Sequence, residues 1–184
     1  MALTDRSDAE LLMQFRILET KEQAYTSIIR KYQEKLYWHI RRMVVDHDDA
    51  NDVLQNVFIR VWNGLENFKE ESQLYTWLYR IASNECLTFL EQQKKRAAVS
   101  LSDVESGLEN KIKADRHFDP NKLEWKLQLA IQQLPEKQRL VFSLRYYDEM
   151  PYEEMSRILE TSEGGLKASY HHAVKKIEDY IKNH

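Results

Sequence analysis

The scarcity of turn-forming residues is the feature of this sequence that most restricts its fold. Only 4 glycines and 3 prolines occur among the 184 residues, whereas these two types make up about 12% of an average protein. Between Ser7 and Arg96 there is no proline, and apolar residues recur at the three- and four-residue spacing of amphipathic helices. The alternating β-branched runs that are typical of strands do not occur. The sequence therefore predicts an all-α protein.

Composition divides the chain into three parts. The sustained helical periodicity of residues 1–96 predicts one helical bundle. Residues 97–122 hold serines, a glycine and a proline without periodicity, which is typical of a flexible linker. From residue 123 to residue 184 the helical pattern returns, punctuated by Pro135 and Pro151. We therefore predict two helical domains joined by a linker.

Several function classes are disfavoured by the composition. The sequence has no apolar run of 18 residues and no apolar stretch at its start, so we expect a cytoplasmic protein without direct membrane insertion. Cys86 is the single cysteine and is expected to be a small buried hydrophobe. A calcium loop that starts with the acidic run at Asp46 needs glycine at its sixth position and glutamate at its twelfth, but these positions are Asn51 and Val57. We expect no metal and no other cofactor, and we attribute the acidic run to a helix start.

The net charge of −3, from 27 basic and 30 acidic residues, bears on nucleic-acid binding. Affinity for phosphates comes from lysine and arginine, so any DNA-binding surface on this chain must be a local one. The helix after the acidic run is expected to turn its apolar residues toward a core and Asp52, Gln55, Asn56 and Ile59 outward. This outer face is either a solvated surface or, because of Ile59, a contact for a protein partner.

An aromatic helix is predicted from Phe68 to Arg96, with Leu74, Leu78 and Ile81 in its core stripe. The opposite side carries Thr76, Tyr79, Arg80, Ser83 and Leu87, so aromatic, hydroxyl and cationic groups share it with one aliphatic residue. Aromatic and cationic side chains outside a core can stack on unpaired bases. The other interpretation is that Tyr75, Trp77 and Tyr79 pack between helices.

The last part of the chain has the pattern of a helix-turn-helix. Pro135 and Pro151 each stand at a helix start, and Ser162 can cap a final helix after a tight turn. The final helix is amphipathic, and its far side carries Gly164, Lys167, Ala168, His171 and Lys175. Small, basic and hydrogen-bonding groups near a helix start suit a reader of the major groove, although a solvated face would look similar.

The order of these motifs resembles a bacterial RNA polymerase sigma factor of the small extracytoplasmic-function group, over nearly the whole chain. Residues 49–62 are similar to the family's Asp-Ala-x-Asp-φ-φ-Gln-x-x-Phe segment. This similarity implies that Asp52, Gln55, Asn56 and Ile59 bind the clamp helices of the polymerase β′ subunit. Residues 76–84 are similar to the family's promoter-melting segment, which implies that the following residues engage the −10 element: Phe68, Lys69, Ser72, Tyr79, Arg80 and Asn84.

The second domain carries the remaining part of the resemblance. Leu134-Pro135 through Phe142, the segment from Tyr152 to Met155 and the segment from Ser162 to Gly164 are similar to the family's −35-binding domain. The similarity implies −35 contacts by Glu163, Gly164, Gly165, Lys167, Ala168, His171 and Lys175. It also implies contacts with the polymerase β flap and an inhibitory anti-sigma partner.

The sequence departs from the family pattern at places that bear on promoter choice. Thr88 and Glu91 stand where the family usually has aspartate and then arginine, and residues 165–170 replace the commoner run of the recognition helix. Promoter preference therefore does not transfer by resemblance. We predict a promoter-specific initiation factor that is not an enzyme; the alternatives are a stand-alone helix-turn-helix regulator and a helical adaptor without DNA contact.

Overall fold

The computed structural model describes residues 6–99 and 123–183, with side chains up to residue 96 in the first range. Within these ranges the chain is helical and contains no strand, which confirms the predicted fold class. Most of the predicted linker, residues 100–122, lies outside the described residues. The α-helices are α1 (Asp8–Phe15), α2 (Lys21–Val44), α3 (His47–Gly64), α4 (Leu74–Val99), α5 (Leu123–Gln132), α6 (Glu136–Tyr146), α7 (Tyr152–Leu159) and α8 (Glu163–Asn183).

Short polar side chains start the helices where the sequence indicated. Ser7 caps α1 in a capping box, in which its Oγ accepts from the Glu10 amide at 3.3 Å and its amide donates to the Glu10 carboxylate at 2.9 Å. Asp46 caps α3 by accepting from the amides of Asp48 and Asp49. The acidic run is therefore a helix start, as predicted. None of the described helices is long and apolar enough to cross a membrane.

The aromatic helix begins later than its sequence pattern suggests. A 3₁₀ turn at Leu65–Asn67 follows α3, and α4 begins only at Leu74. Phe68 has extended backbone angles and Glu70 has a φ of 58°, in the left-handed region, so the chain leaves the helical path between these turns. The loop at residues 68–73 is consequently a separate element that lies beside α4 rather than its first turns.

The first domain buries its apolar residues between α1, α2, α3 and α4. Ile28, Leu36, Val57 and Leu78 are fully buried, and so is Cys86, as expected. Burial raises the pKa of the Cys86 thiol, so it remains protonated and acts as a small hydrophobe.

An aromatic cluster joins α1, α2 and α3 of this bundle. The Trp62 ring meets Phe15 and Tyr25 edge-on, with centroids 5.5 and 4.9 Å apart. Gly64 ends α3 where a Cβ would lie 3.0 Å from the Trp77 ring. A side chain at position 64 would therefore require the Trp77 ring to shift by a few tenths of an ångström.

The second domain packs α5, α6 and α8 around Ile131, Phe142, Ala173 and Ile177. Its other side belongs to the core of the first domain, because residues of α6, of α7, of the connection between them and of α8 join one buried apolar cluster with α2 and α4: Leu140, Val141, Leu144, Met150, Met155, Ile158 and Leu166. Arg139 is 5% exposed and donates to the Gln132 carbonyl at 2.8 Å and the Met43 carbonyl at 3.0 Å. The domains therefore share a continuous buried interface.

Candidate functional site

The outer face of α3 is built as its sequence predicts. Asp52, Gln55, Asn56 and Ile59 are all exposed, while the apolar side of the helix is buried. Ile59 is 58% exposed although it is a large aliphatic side chain. It borders a groove of about 380 Å³ between α3 and α4, which Thr88 and Phe89 also line. The groove is held by an ion pair between Arg60 of α3 and Glu85 of α4.

Four of the six residues that the resemblance assigned to the −10 element meet at one cavity. Phe68, Lys69, Ser72 and Arg80 line a space of about 430 Å³ at the start of α4, together with Thr76 and Trp77. The Phe68 and Trp77 rings lie 5.0 Å apart. Aromatic walls, hydroxyls and cations suit an unpaired nucleotide, since the base can stack while cations meet the phosphate.

Asn84 lies elsewhere, two turns further along α4. It is exposed and lines a different cavity, of about 270 Å³, between α4 and the second domain. Arg80 borders both cavities, whereas Phe68 and Lys69 border only the first. The structure therefore does not bring Asn84 into the same cavity as the loop residues.

Tyr79 differs from its predicted position on an outward face, because it is only 3% exposed. Its ring packs on His39 with centroids 5.0 Å apart. Burial raises the pKa of Tyr79, and the negative charge of Asp148 adds to the rise. The interpretation in which the aromatic residues pack between helices is thus the correct one for Tyr79 in this arrangement.

The face of α4 around Tyr79 is covered because two other elements pack on it. Thr76 is 2% exposed and donates from Oγ1 to Glu154 Oε2 of α7 at 2.6 Å. Ser83 is 1% exposed, and its Oγ lies 3.1 Å from Nε2 of His39 in α2. The periodicity of α4 identified one side that faces the core of its own domain, but it could not indicate that α2 and α7 both pack on the other side.

A charged cluster at the domain junction had no sequence signal. The Arg42 guanidinium donates to Asp148 Oδ1 at 3.0 Å and lies 4.4 Å from the centre of the Tyr147 ring. His39 Nδ1 is 3.5 Å from Asp148 Oδ2, which is within ion-pair range but long for a hydrogen bond. These partners are more than 100 residues apart in the sequence, so only the fold brings them together.

In the described part of the chain, no group of three or more His, Cys, Asp or Glu side chains could hold a metal ion.

The last helix presents an open surface. The turn from α7 passes through Glu160, which has a φ of 50°, and Ser162 then accepts from the Gly165 amide at 3.2 Å to cap α8. Leu166, Ala173 and Ile177 are buried on one side. The residues predicted to contact the −35 element are all exposed: Glu163, Gly164, Gly165, Lys167, Ala168, His171 and Lys175.

The second domain is a helix-turn-helix whose last helix has an exposed face, and the first domain is a helical bundle with an aromatic and cationic cavity. This combination is typical of a helical DNA-binding protein. Comparison with known families narrows this class. Residues 28–96 match Sigma-70 region 2, and residues 124–177 match Sigma-70, region 4. The chain belongs to the sigma-70 family and is of the extracytoplasmic-function type.

Characterised relatives align over nearly the whole chain. The RNA polymerase sigma-H factor of Pseudomonas aeruginosa is 30% identical over 98% of this chain and 96% of its own length. The ECF RNA polymerase sigma-E factor of Escherichia coli K12 is 28% identical over 91% of each chain. The chain is therefore a factor that directs RNA polymerase to promoters for transcription initiation, and this function is favoured over a stand-alone regulator.

Solved structures share the fold. CnrH, solved in complex with the cytosolic domain of CnrY, superposes with a TM-score of 0.67 over 96% of this chain and 99% of that one, at 17% identity. The sigma factor RpoE of Bartonella quintana, solved with the anti-sigma factor NepR, also gives 0.67, over 86% of this chain and 96% of its own, at 21% identity. The all-helical architecture is thus one that sigma factors adopt.

Proposed function

We propose that the two domains divide the work of initiation. Residues 1–96 bind core polymerase and capture unpaired −10 bases, residues 123–184 read the −35 element, and residues 97–122 connect them. The observation that carries this assignment is the cavity at the start of α4, where Phe68, Lys69, Ser72 and Arg80 converge from a loop and a helix. As an initiation factor, the chain acts in the cytoplasm and without catalytic activity of its own.

Core polymerase binds the outer face of α3. Asp52, Gln55 and Asn56 offer carboxylate and amide groups for hydrogen bonds with the β′ clamp helices, and Ile59 offers apolar area at the centre of the face. An exposed aliphatic side chain with a polar rim is the usual arrangement of a protein interface. The second domain provides a further contact, with the β flap.

The −10 cavity holds one unpaired nucleotide. A base entering between the loop and α4 meets the Phe68 and Trp77 rings, and the Ser72 hydroxyl can bond to its edge. Lys69 and Arg80 are exposed and reach the phosphates. Asn84 contacts a neighbouring base from the second cavity.

The −35 element binds the exposed face of α8. Lys167 and His171 lie on consecutive turns near the helix start and reach base edges, whereas Lys175 lies one turn further on and meets a phosphate. Gly164 leaves the backbone at the start of α8 uncovered, because no atom lies within 4 Å of a Cβ built there, so a phosphate can approach it closely.

We further propose an inhibitory protein partner. CnrH and the Bartonella RpoE were each solved with a second protein, CnrY and the anti-sigma factor NepR respectively. This chain shares their fold over most of its length, and we propose that it is held inactive by an anti-sigma factor in the same way.

The −10 cavity is tested with Lys69→Ala in reconstituted holoenzyme. Binding to a promoter duplex with an unpaired −10 segment, taken from a promoter that the wild-type holoenzyme transcribes, is measured at several salt concentrations. Loss of one phosphate contact on a single strand should reduce the salt slope by about 0.7. Lys35→Ala, an exposed lysine of α2 outside the cavity, is the matched control and should leave the slope unchanged. An unchanged slope for Lys69→Ala would contradict the assignment.

A further inference from the structure

We propose that the cavity between the end of α2, the start of α3 and α5 binds a free purine nucleotide. The cavity measures about 430 Å³, which lies in the range of small-molecule sites. It shares no lining residue with the −10 cavity or with the cavity that Asn84 borders. The inference therefore adds a small-molecule ligand to the DNA and protein partners, and it stands independently of the −10 and −35 assignments.

Aromatic side chains give this cavity a stacking surface for a base. Trp38 lines the cavity and is 51% exposed, although it is a large aromatic side chain. The Tyr37 ring meets the Trp38 ring edge-on, with centroids 5.3 Å apart, and its hydroxyl lies 2.7 Å from Nδ1 of His47. Trp125 of α5 lines the same cavity. Exposed indole rings of this kind are the surfaces on which bases stack.

Arg41 supplies the charge for a phosphate. It lines the cavity and is half-buried, and its guanidinium has no ion pair or hydrogen bond with the part of the chain that the structure describes. Arg42 differs, because Asp148 and the Tyr147 ring already hold its guanidinium. A guanidinium pairs with two oxygens of one phosphate at once. Arg41 is therefore the cation of this cavity that is available to an anion.

Two acceptors lie on the α5 side of the cavity. Gln132 is 9% exposed, and its amide nitrogen donates to the Arg42 carbonyl at 3.2 Å, whereas its Oε1 has no partner. The last torsion of a glutamine is soft, so the amide can turn this oxygen toward a donor in the cavity. Glu124 offers a carboxylate at the rim, where it is exposed and screened by water and salt. The amino group of adenine or guanine is a donor for either acceptor.

These groups together distinguish between classes of ligand. An inorganic anion would pair with Arg41 and leave the aromatic walls in water, and a neutral aromatic molecule would leave Arg41 without an acceptor. A purine nucleotide satisfies both, because its base stacks on Trp38 while its phosphate pairs with Arg41. Since α2 and α5 belong to different domains, the bound nucleotide contacts both of them.

The experiment uses the full chain, labelled with ¹⁵N, without polymerase or DNA. The four tryptophans give separate indole N–H signals in NMR spectra, and two of them, Trp38 and Trp125, line the cavity. AMP and GMP are the probes; adenosine lacks the phosphate, and inorganic phosphate lacks the base. AMP or GMP should shift the Trp38 and Trp125 signals saturably, with a Kd between about 10 µM and 1 mM. Trp62, near the other end of α3, should not respond.

Two variants test the assigned contacts. Trp38→Ala should weaken nucleotide binding about 5- to 100-fold, read from the Trp125 signal, because the stacking surface is lost. Arg41→Gln should weaken it about 5- to 20-fold and should leave adenosine binding unchanged. Arg30→Gln is the matched control, because Arg30 is an exposed arginine of α2 outside the cavity. Thermal melts without ligand check that each variant remains folded.

Several results would overturn the proposal. These are no shift with either nucleotide at 10-fold the upper Kd limit, equal affinity for AMP and adenosine, and an equal loss in the Arg30→Gln control. Tighter binding of a deoxyadenosine hexamer at Trp38 and Trp125 would overturn the assignment to a free nucleotide. Shifts confined to Trp77 would place the nucleotide in the −10 cavity instead. The Lys69→Ala test in holoenzyme reports on that cavity alone, so the two failures are distinguishable.

Discussion

Ile59 provides the sharpest test of the polymerase surface, because truncating it changes the outer face of α3 without touching a core. We predict that Ile59→Ala weakens binding to core polymerase and leaves the free energy of unfolding within about 0.5 kcal/mol of wild type. The side chain is 58% exposed in the free protein, so this fraction remains to be buried when a partner docks.

The size of the effect follows from that exposed fraction. Full burial of an isoleucine side chain is worth about 1.5 to 3 kcal/mol. Taking 58% of this range, the contact should contribute about 1 to 1.7 kcal/mol, which corresponds to an increase of about 5- to 20-fold in Kd. Alanine keeps the Cβ, and the observed loss should therefore fall toward the lower part of this range.

The assay is a titration of labelled protein with core polymerase, accompanied by a denaturant melt of each variant. Leu18→Ala is the matched control, because Leu18 is 83% exposed but lies in the connection between α1 and α2. An Ile59→Ala protein that binds within about twofold of wild type would refute the reasoning from buried area. If Leu18→Ala weakened binding to core polymerase equally, the effect would come from nonspecific apolar contact rather than from the outer face of α3.

Two further predictions concern α8. Lys175→Ala should weaken binding to all duplexes about equally and lower the salt slope by about 1, whereas Lys167→Ala or His171→Ala should cost about 1–3 kcal/mol of binding free energy on the preferred −35 sequence only. Binding to a small duplex library at two salt concentrations measures both effects. Unaltered sequence preference in both the Lys167 and the His171 variant would contradict this prediction. Gly164→Ala should raise the free energy of unfolding by about 0.5 to 1 kcal/mol, because no atom lies within 4 Å of the new Cβ. Gly165→Ala should give no such gain, because its Cβ would crowd Ser162 Oγ at 3.2 Å. Thermal melts of the two variants measure this, and equal shifts in melting temperature would disprove it.

The sequence by itself determined the elements and their inner faces. The periodic apolar residues of α3 and α8 are buried or partly buried, and most of the polar residues between them are exposed, because a helix repeats every 3.6 residues and one side must leave water. The helix starts at Ser7 and at the acidic run from Asp46 could also be predicted from the sequence, because the first amides of a helix need acceptors. The family followed from the order of three motifs, and the comparisons confirm it.

Only the tertiary structure decided which outward faces meet another part of the chain. Thr76 lies opposite the core of its own domain, yet Glu154 of α7 bonds to it and it is buried, while Tyr79 packs on His39 of α2. The contact of Arg42 with Asp148 joins residues 106 positions apart. Helical periodicity is a local property of a few turns, whereas the docking of one domain on another depends on the shape and charge of two complete surfaces. For this reason the sequence could place Thr76 on the outward side of α4, but it could not indicate that Glu154 of α7 would bond to it.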